Sequence, residues 1–580
     1  MKIKQIGNYN GDIIKTILEN RNIEDVELFL HPKKQNELNS FNLYNMRQGA
    51  EVLLAHLLVN NNGAILVDPD ADGFSSSSII YQYIKKIKPD AKLNYLLHDT
   101  KAHGLTDKII DKIVNSPEPF DYIIIPDAAS NDEKAISKLY YMGIDVIVID
   151  HHEVENIPKQ GIIINNQLDS NIETNKNLVG AGMAYKFCQA LDHILNTNFA
   201  DDFLELVAIG QVGDSSDISE NEVRYLVFQG IKNINNPFIQ VVLADKLKNQ
   251  ENVAPKDLSF SIIPLINAVV RVGTDEEKDY LFRALNSINA DDTFVVTKKK
   301  KNKQTGKFDS FEVEQSFYEY VYDICKRVKS RQDNLVKKTM AELLTNIDNS
   351  GGIVIGVLQN SDQGSITGLV ANKLVSKFQK PVILVHHVPG KYVGSGRGYV
   401  KVLPSLKDWC NETKLVEFAQ GHANAFGISI FEENFEAFKE KAKKVEKQEF
   451  VYEVDLLLEG KVDKKPILDV EEHKYLFGGR VHDPLFAFTG IKVRKEWIKQ
   501  RGQTLTFFDS GVEFVFYHAP EGLFESLTHN FDQFITMDFV GKPSVNRYGN
   551  KITPQIILED CERNEQKTEE KEITIADLVF

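Results

Sequence analysis

The chain has 580 residues, of which 42% are hydrophobic and 26% charged, and its formal net charge at pH 7 is −15. This composition is typical of chains that bury a core, so a largely disordered protein is excluded. At about 150 residues per domain, the length predicts about four domains. The acidic total excludes a uniformly basic coat for nucleic acid, but it leaves room for a local basic channel, because binding depends on where charges lie.

The cysteines and the apolar segments indicate a cytoplasmic protein without contact to a membrane. The four cysteines are too far apart for CxxC pairs: Cys188, Cys325, Cys410 and Cys561. A zinc knuckle or a disulfide framework is therefore not expected. The N-terminus has no apolar core of signal-peptide length, and no run of about 18 apolar residues occurs to span a bilayer.

The first 290 residues follow an α/β pattern. Helices are predicted over residues 13–18, 26–30 and 46–59. Short runs rich in aliphatic residues then cover 63–67, 122–125 and 145–149, with helices predicted over 75–84 and 133–141. Such an alternation is typical of a parallel sheet covered on both faces.

Each of the three predicted strands ends at acidic or imidazole side chains, which stand outside the carboxyl ends of the strands. Ligands bind at that edge in open α/β sheets. The side chains concerned are Asp68, Asp70, Asp72, Asp127, Asp150, His151 and His152.

The rest of the chain is predicted to add a second α/β unit and a strand-rich region. Asp214 lies in a loop that follows a predicted helix, and residues 297–308 contain six lysines and are predicted to form an exposed loop. A long connecting helix follows. The predicted domains are a catalytic α/β domain with N-terminal helices (1–290), a basic loop and connecting helix (291–348), a smaller α/β domain (349–449), a β-rich domain (450–561) and an acidic tail (562–580).

The clustered carboxylates favour a site for divalent cations. Several carboxylates at one sheet edge repel each other, and bound cations remove that repulsion. Two ions about 3.5–4 Å apart can clamp a phosphate and activate a water molecule. Oxygen ligands with an added imidazole shift the preference from Mg²⁺ towards Mn²⁺.

The same residues allow two other interpretations. A single Asp at the end of a strand is more often a turn or helix cap than a ligand. The series from Asp68 to Gly73 also resembles the start of an EF-hand loop, which requires Glu at its twelfth position. That position is Ile79, so the EF-hand interpretation fails.

The motifs together resemble the DHH phosphoesterase superfamily and, within it, the RecJ family of single-stranded-DNA exonucleases. The resemblance covers about residues 10–560 and is carried by Asp68-Pro69-Asp70-Ala71-Asp72-Gly73, Pro126-Asp127, Asp150-His151-His152, Gly213-Asp214, His103-Gly104-Leu105, Leu178-Val179-Gly180-Ala181-Gly182, Pro264 to Ala268 with Arg271, Gly394-Ser395-Gly396-Arg397 and Gly421-His422. The second α/β unit is similar to the companion domain called DHHA1, and residues 451–560 are similar to an OB-fold.

The resemblance implies a role for each matched residue. Two divalent metal ions, preferably Mn²⁺ with Mg²⁺ as the other candidate, would be the cofactors. Asp127 would bridge them, His152 would contact the scissile phosphate, and Asp150 would orient the imidazoles. The implied metal ligands are Asp68, Asp70, Asp72, Asp127, His151 and Asp214, and the implied substrate contacts are His103, Arg271, Ser395, Gly396, Arg397 and His422.

The resemblance also implies the reaction, which is 5′→3′ hydrolysis of single-stranded DNA to 5′-mononucleotides through activation of water by two metals. Two alternatives remain: a phosphodiesterase acting on oligoribonucleotides or cyclic dinucleotides, and a non-catalytic replication scaffold. Single-stranded DNA is the expected partner, with a single-strand-binding protein or a helicase as candidate protein partners of a monomer. Gln420 and Phe426 depart from the family pattern in the DHHA1-like region.

Overall fold

The computed structural model describes residues 1–99, 102–169, 172–247, 252–301, 306, 308–359, 361–446, 449–478, 481–529, 533–548 and 551–564. The predicted acidic tail lies outside the described residues from residue 565 onward.

The described strands follow the chain from the first residues to the last described segment. They are β1 (Lys2–Gln5), β2 (Gly63–Val67), β3 (Leu93–Leu97), β4 (Tyr122–Pro126), β5 (Asp145–Asp150), β6 (Ile162–Asn165), β7 (Thr293–Lys301), β8 (Phe308–Ser316), β9 (Val354–Leu358), β10 (Val382–Val388), β11 (Lys391–Arg397), β12 (Phe418–His422), β13 (Ala425–Phe431), β14 (Val451–Val454), β15 (Leu456–Glu459), β16 (Phe486–Arg494), β17 (Lys499–Arg501), β18 (Thr504–Asp509), β19 (Val512–Phe516), β20 (Phe534–Tyr548) and β21 (Lys551–Arg563).

The described α-helices are concentrated in the first 350 residues. They are α1 (Ile13–Asn20), α2 (Val26–Leu30), α3 (Met46–Leu58), α4 (Ala71–Ile87), α5 (Asp107–Val114), α6 (Glu133–Tyr141), α7 (Gly180–Leu195), α8 (Leu204–Gly213), α9 (Asn221–Lys232), α10 (Pro237–Lys246), α11 (Pro255–Ser261), α12 (Ile263–Val272), α13 (Asp275–Leu285), α14 (Phe317–Leu344), α15 (Thr367–Phe378), α16 (Leu406–Glu412), α17 (Glu432–Lys443), α18 (Lys465–Glu472) and α19 (Leu523–Thr528).

The chain divides into two compact units. One comprises residues 27–335 and 475–481, and the other comprises residues 1–26, 336–474 and those from 482 onward. The predicted α/β class, with a parallel-sheet domain, a long helix and a β-rich C-terminal region, is confirmed. The finer division into five segments stays a prediction.

The first unit is built on a five-stranded sheet of order β3-β2-β4-β5-β6, in which all neighbours are parallel. Strands β2 and β4 are buried along their whole length. Their aliphatic side chains form a core with residues of α5 and α6, such as Ile109 and Ile136. Because all strands point the same way, their carboxyl ends meet at one edge, as the sequence predicted.

Residues 297–301 of the lysine-rich segment, predicted as an exposed loop, are instead part of β7 in a two-stranded antiparallel sheet. Residues 302–305 and 307 of that segment lie outside the described residues. Strands β7 and β8 pair antiparallel from Thr293 opposite Ser316 to Lys301 opposite Phe308. The ring of Phe294 stacks on Tyr320 of α14 with centroids 4.0 Å apart. The lysines suggested a solvated loop, but the β-branched and aromatic residues before them favour a strand that the helix then anchors.

The second unit contains two larger sheets. The DHHA1-like sheet has the order β12-β13-β11-β10-β9, and the C-terminal sheet has the order β15-β16-β20-β21-β19-β18-β17. The strand-rich prediction for residues 451–560 is therefore confirmed. Strand β1 was not predicted, and it pairs with β14 from Lys2 opposite Val451 to Gln5 opposite Val454.

Across the described segments, no helix has both the length and the apolar character required to cross a membrane.

Candidate metal centre and active site

The first three aspartates follow β2 and lead into α4. Asp70 is the N-cap of α4, and its side chain accepts a hydrogen bond of 2.9 Å from the Gly73 amide. Asp70 therefore also fits the ordinary capping role. Asp68 and Asp72 do not cap this helix and are almost completely buried, a costly position for carboxylates without a further function.

Asp72 is fixed by the beginning of α7. Its two oxygens accept hydrogen bonds from the amides of Gly180 (2.6 Å) and Ala181 (2.8 Å). A helix N-terminus stabilises a carboxylate by its free N–H groups and its dipole. Gly210 of α8 leaves room for this arrangement, because a Cβ there would lie 2.3 Å from Asp72 Oδ1.

Asp127 follows β4 in a strained backbone conformation. Its φ is +65°, which is uncommon for a residue with a side chain, and it is 2% exposed. Oδ1 lies 3.1 Å from His151 Nε2 but accepts no hydrogen bond of normal geometry within the described part of the chain. A buried carboxylate oxygen and an imidazole nitrogen thus lie side by side without a hydrogen bond of normal geometry between them.

His151 brings a second group of carboxylates together. Its Nε2 lies 3.8 Å from Asp72 Oδ2 and 3.7 Å from Asp214 Oδ2. Asp214 follows the last residue of α8 and is partly exposed. The ligand atoms of Asp72, His151 and Asp214 all lie within 4.8 Å of one another. The same holds for a neighbouring set formed by Asp68, Asp70 and Asp127.

The electrostatics of these residues fit a cation. Burial, followed by the charges of Asp214 and Asp70, raises the pKa of Asp72 well above its ordinary value. Burial and the charges of Asp72 and Asp70 do the same to the pKa of Asp127. Burial also lowers the pKa of His151 to about 4, which favours the neutral imidazole that binds metals. The donor set of carboxylates and one imidazole therefore suits Mn²⁺ or Mg²⁺.

Asp150, the last residue of β5, is hydrogen-bonded to His152 and to two backbone amides. Its Oδ1 lies 2.8 Å from His152 Nδ1 and accepts the amide of His151 at 2.7 Å, while Oδ2 accepts the Ser130 amide at 3.1 Å. Burial alone would raise the pKa of Asp150, but the hydrogen bond and charge of His152 outweigh it and keep the pKa low. The same hydrogen bond raises the pKa of His152 to about 9.

If the chain hydrolyses single-stranded DNA, as the resemblance implies, replacing Asp150 by Asn should lower kcat by about 10- to 100-fold, the usual cost of losing an orienting partner. Asn keeps the volume but removes the charge that fixes the His152 ring. The midpoint of thermal unfolding should stay close to that of the wild type although kcat falls. The KM for the DNA strand should also change little. Full activity in the variant, measured beside its circular dichroism melt, would contradict an orienting role.

Two predicted substrate residues of the first unit lie at the same edge. His103 Nδ1 is 2.5 Å from Asp68 Oδ2, and the Gly104 amide donates to Asp68 Oδ1 at 3.1 Å. Arg271 of α12 is close enough to Asp70 for that carboxylate to act on its pKa, which burial lowers. His103 and Gly104 thus contact Asp68, and Arg271 lies within electrostatic range of Asp70.

The other predicted substrate residues lie in the DHHA1-like sheet. Ser395 Oγ is 2.8 Å from Thr367 Oγ1 at the start of α15, and Arg397 occupies the space where a Cβ of Gly368 would be. His422 pairs with Ala425, which in turn pairs with Arg397 across β13. Strands β11 and β12 therefore bring these side chains to one end of the sheet.

Gly396 explains why Phe426 can replace a small residue in this family segment. The two residues are paired across β11 and β13, and a Cβ at Gly396 would lie 2.3 Å from the Phe426 ring. The ring thus occupies the space that the glycine leaves, and the phenylalanine packs in the core without displacing β11.

Some residues of the site were missed by the sequence analysis. No role was given to Gly180 or Gly210, which make room for Asp127 and Asp72, because their contacts join distant parts of the chain. His98 was also missed; it is buried after β3, and burial lowers its pKa to about 4. Its position after a short strand of the same sheet is the signal that could have revealed it.

The chain is similar to known proteins in sequence and in fold. Residues 64–211 match the family described as "DHH family, N-terminal domain". The putative SPbeta prophage-derived single-strand DNA-specific exonuclease YorK of Bacillus subtilis is 36% identical over 98% of this chain and 99% of its own length. The chain belongs to the RecJ-like members of the DHH superfamily.

More distant members of this DHH group extend the similarity. The single-stranded-DNA-specific exonuclease RecJ of Bacillus subtilis is 24% identical, and the match covers 93% of this chain and 66% of that protein. The crystal structure of RecJ from Thermus thermophilus in complex with Mn²⁺ has a TM-score of 0.67 at 18% identity, over 90% of this chain and 72% of that one. The two proteins thus share a fold.

Proposed function

We propose that this chain is a metal-dependent exonuclease that hydrolyses single-stranded DNA in the 5′→3′ direction and releases 5′-mononucleotides. The observation that carries the proposal is the pair formed by Asp127 Oδ1 and His151 Nε2, buried 3.1 Å apart and joined by no hydrogen bond of normal geometry. The family membership supplies the reaction class, and the relatives named single-strand-specific exonucleases support the substrate.

The candidate ligands form two groups, and this supports the proposal that two ions bind. Asp72, His151 and Asp214 would hold one ion, Asp68 and Asp70 the other, and Asp127 lies between the two groups. Such ions would supply Lewis acidity to the scissile phosphate and lower the pKa of a water molecule. Because one ligand is an imidazole, Mn²⁺ is the preferred ion and Mg²⁺ the second candidate.

His152 is proposed to contact the scissile phosphate. Asp150 engages Nδ1, so Nε2 is the atom that remains to donate a hydrogen bond to a non-bridging oxygen. The side chain is more than half exposed and is therefore accessible to a substrate. A donor fixed before the reaction stabilises the charge that develops in the transition state.

The DHHA1-like sheet is proposed to bind a phosphate near the end of the DNA strand. Ser395 and Arg397 lie beside the beginning of α15, where free N–H groups favour an anion. Arg397 can bind a phosphate with two parallel hydrogen bonds, and His422 adds a third polar group. This arrangement would favour the binding of a DNA strand that carries a terminal 5′-phosphate.

The direction of hydrolysis is tested with strands labelled at one end only. With Mn²⁺, the 5′-labelled strand should yield labelled mononucleotide at the earliest times, whereas the 3′-labelled strand should shorten progressively. Labelled mononucleotide appearing first from the 3′ end would refute the polarity. Dinucleotides hydrolysed faster than long strands would instead favour a small-substrate phosphodiesterase.

A further inference from the structure

Strand β6 ends in two asparagines that have no role in the site described above. Asn165 is the last residue of β6 and pairs with Asp150 of β5, and Asn166 follows it. Both side chains are completely buried at the sheet edge that carries the acidic cluster. A buried amide is costly unless it is hydrogen-bonded, so the partners of these two side chains indicate what they hold.

Asn165 joins the loop after β4 to the loop after β5. Its Nδ2 donates to Ser130 Oγ and to the carbonyl oxygen of His152, both at 2.9 Å. Its Oδ1 accepts the Gln167 amide at 2.7 Å, and this third bond fixes which end of the side chain is the nitrogen. The Ser130 amide in turn donates to Asp150. One side chain therefore holds both loops in a single arrangement.

Asn165 adds a third hydrogen bond to those that fix His152. Asp150 Oδ1 lies 2.8 Å from Nδ1 of the His152 ring and accepts the His152 amide at 3.2 Å. Asn165 binds the carbonyl oxygen of the same residue. The His152 side chain is more than half exposed, so packing alone does not fix it. Its hydrogen bonds therefore decide where the Nε2 atom lies.

Asn166 holds the segment that leads into α7. Its Nδ2 donates to the carbonyl oxygens of Asn175 and Leu178, both at 2.8 Å. Both partners are acceptors only, so the nitrogen of the side chain must face them. Leu178 lies two residues before Gly180, whose amide donates to Asp72. The bonds of Asn166 therefore place the first amides of α7 against a candidate metal ligand.

Asn62 makes the same kind of bonds at the opposite edge of the sheet. It precedes β2, is 9% exposed and donates through Nδ2 to the carbonyl oxygens of Glu118 (3.3 Å) and Pro119 (2.9 Å). These bonds join loops at the amino ends of the strands, whereas the acidic cluster lies at the carboxyl ends. Asn62 is therefore a matched comparison, because its loss should weaken the fold without reaching the site.

We propose that Asn165 and Asn166 are positioning residues of this site. Asn165 sets the place of His152 at the scissile phosphate, and Asn166 sets the place of Asp72 as a metal ligand. Neither side chain can touch a substrate, because both are completely buried. The role of Asn165 rests on the proposed function, whereas that of Asn166 requires only that the cluster binds a cation. The two asparagines should therefore change different quantities.

Asn165→Asp keeps the size of the side chain and the oxygen that accepts the Gln167 amide, but it removes the nitrogen that donates to His152. The variant should lower kcat on single-stranded DNA by about 10- to 100-fold, the usual cost of losing a residue that orients a site group. The KM and the Mn²⁺ concentration for half-maximal activity should change little. Asn165→Ala adds no charge and should give the same pattern if the Asp variant does not fold. A wild-type kcat in both variants would overturn the proposal.

A double substitution distinguishes positioning from a general loss of stability. In a His152→Ala background, Asn165→Asp should lower the residual kcat by less than about twofold, because the residue through which it acts is gone. A further loss of about 10- to 100-fold in that background would show that Asn165 acts on the fold as a whole. That result would refute its positioning role.

Asn166→Ala should raise the Mn²⁺ concentration for half-maximal activity by about 10- to 100-fold, whereas kcat at saturating Mn²⁺ should stay close to that of the wild type. It should also reduce the rise in melting temperature that Mn²⁺ causes, a signal that does not depend on activity. Asn165→Asp should keep the full rise.

Asn62→Ala is the control for both asparagines. It should lower the melting temperature without metal, as Asn166→Ala does, but leave kcat and the Mn²⁺ requirement unchanged. A loss of the Mn²⁺ response in Asn62→Ala equal to that in Asn166→Ala would assign the effect to the fold and overturn the proposal.

The outcomes separate this inference from the proposed function. If the wild type releases mononucleotides and the variants of both asparagines behave as it does, the positioning roles are refuted and the exonuclease stands. If the wild type releases nothing although Mn²⁺ raises its melting temperature, the proposed function fails and the role of Asn165 fails with it. A reduced rise in Asn166→Ala would then still support the role of Asn166.

Discussion

Asp127→Asn is expected to lower mononucleotide release by more than about 100-fold, because losing only a residue that orients a metal ligand already costs about 10- to 100-fold. Asn keeps the size of the side chain but removes the buried charge that lies between the two ligand groups. The variant should still fold. Without a cation, the Asp127 carboxylate and the neighbouring carboxylates repel each other, and the substitution removes that repulsion.

The same variant gives a signal that does not depend on activity. Mn²⁺ should raise the melting temperature of the wild type, because a ligand that binds only the folded state stabilises it. In Asp127→Asn this rise should be greatly reduced, whereas the melting temperature without metal should equal or exceed that of the wild type. Asp145→Asn is the control, since Asp145 begins β5 at the opposite edge of the sheet. Wild-type activity in Asp127→Asn would show that the cluster is not the site of hydrolysis.

Gly180→Ala is expected to reduce the activity nearly as strongly, although the change adds only one methyl group. A Cβ at Gly180 would lie 2.5 Å from Asp127 Cβ and 2.6 Å from its Oδ1, while the Gly180 amide binds Asp72. The methyl group must therefore displace one carboxylate or the other. Overpacking of this kind usually costs about 1–3 kcal/mol of stability.

The measurement for Gly180→Ala is the Mn²⁺ concentration that supports half-maximal activity, which should rise strongly, together with a smaller loss of stability. Gly427→Ala is the matched control, because a Cβ there meets only one backbone oxygen at 3.9 Å. A variant whose stability falls while its requirement for Mn²⁺ stays unchanged would mean that Gly180 is needed for packing alone.

Much of the site could be predicted from local sequence. The aliphatic runs before Asp68, Asp127 and Asp150 specify buried parallel strands, and the direction of such strands dictates that their carboxyl ends meet. The structure confirms these strands to within one residue at each end. The roles given to the individual residues stay predictions.

What could not be predicted depends on contacts between distant residues. Gly180 and Asp72 are 108 positions apart, so no local pattern shows that the one holds the other. The lysines of β7 gave a misleading local signal, because the stack of Phe294 on Tyr320 is a tertiary contact. Sequence also could not separate the aromatic residues of β18 and β19, of which Phe507 and Phe514 are buried and Phe508 is exposed.

The central claim is that divalent ions held by the acidic cluster enable this chain to hydrolyse single-stranded DNA. The most direct test strips the protein of metal with EDTA, removes the chelator and measures mononucleotide release from a 5′-labelled strand as Mn²⁺ is returned. We expect no release without metal, full release when Mn²⁺ is restored, and far less release from a blunt duplex. Release that persists at the same rate in EDTA would contradict the account.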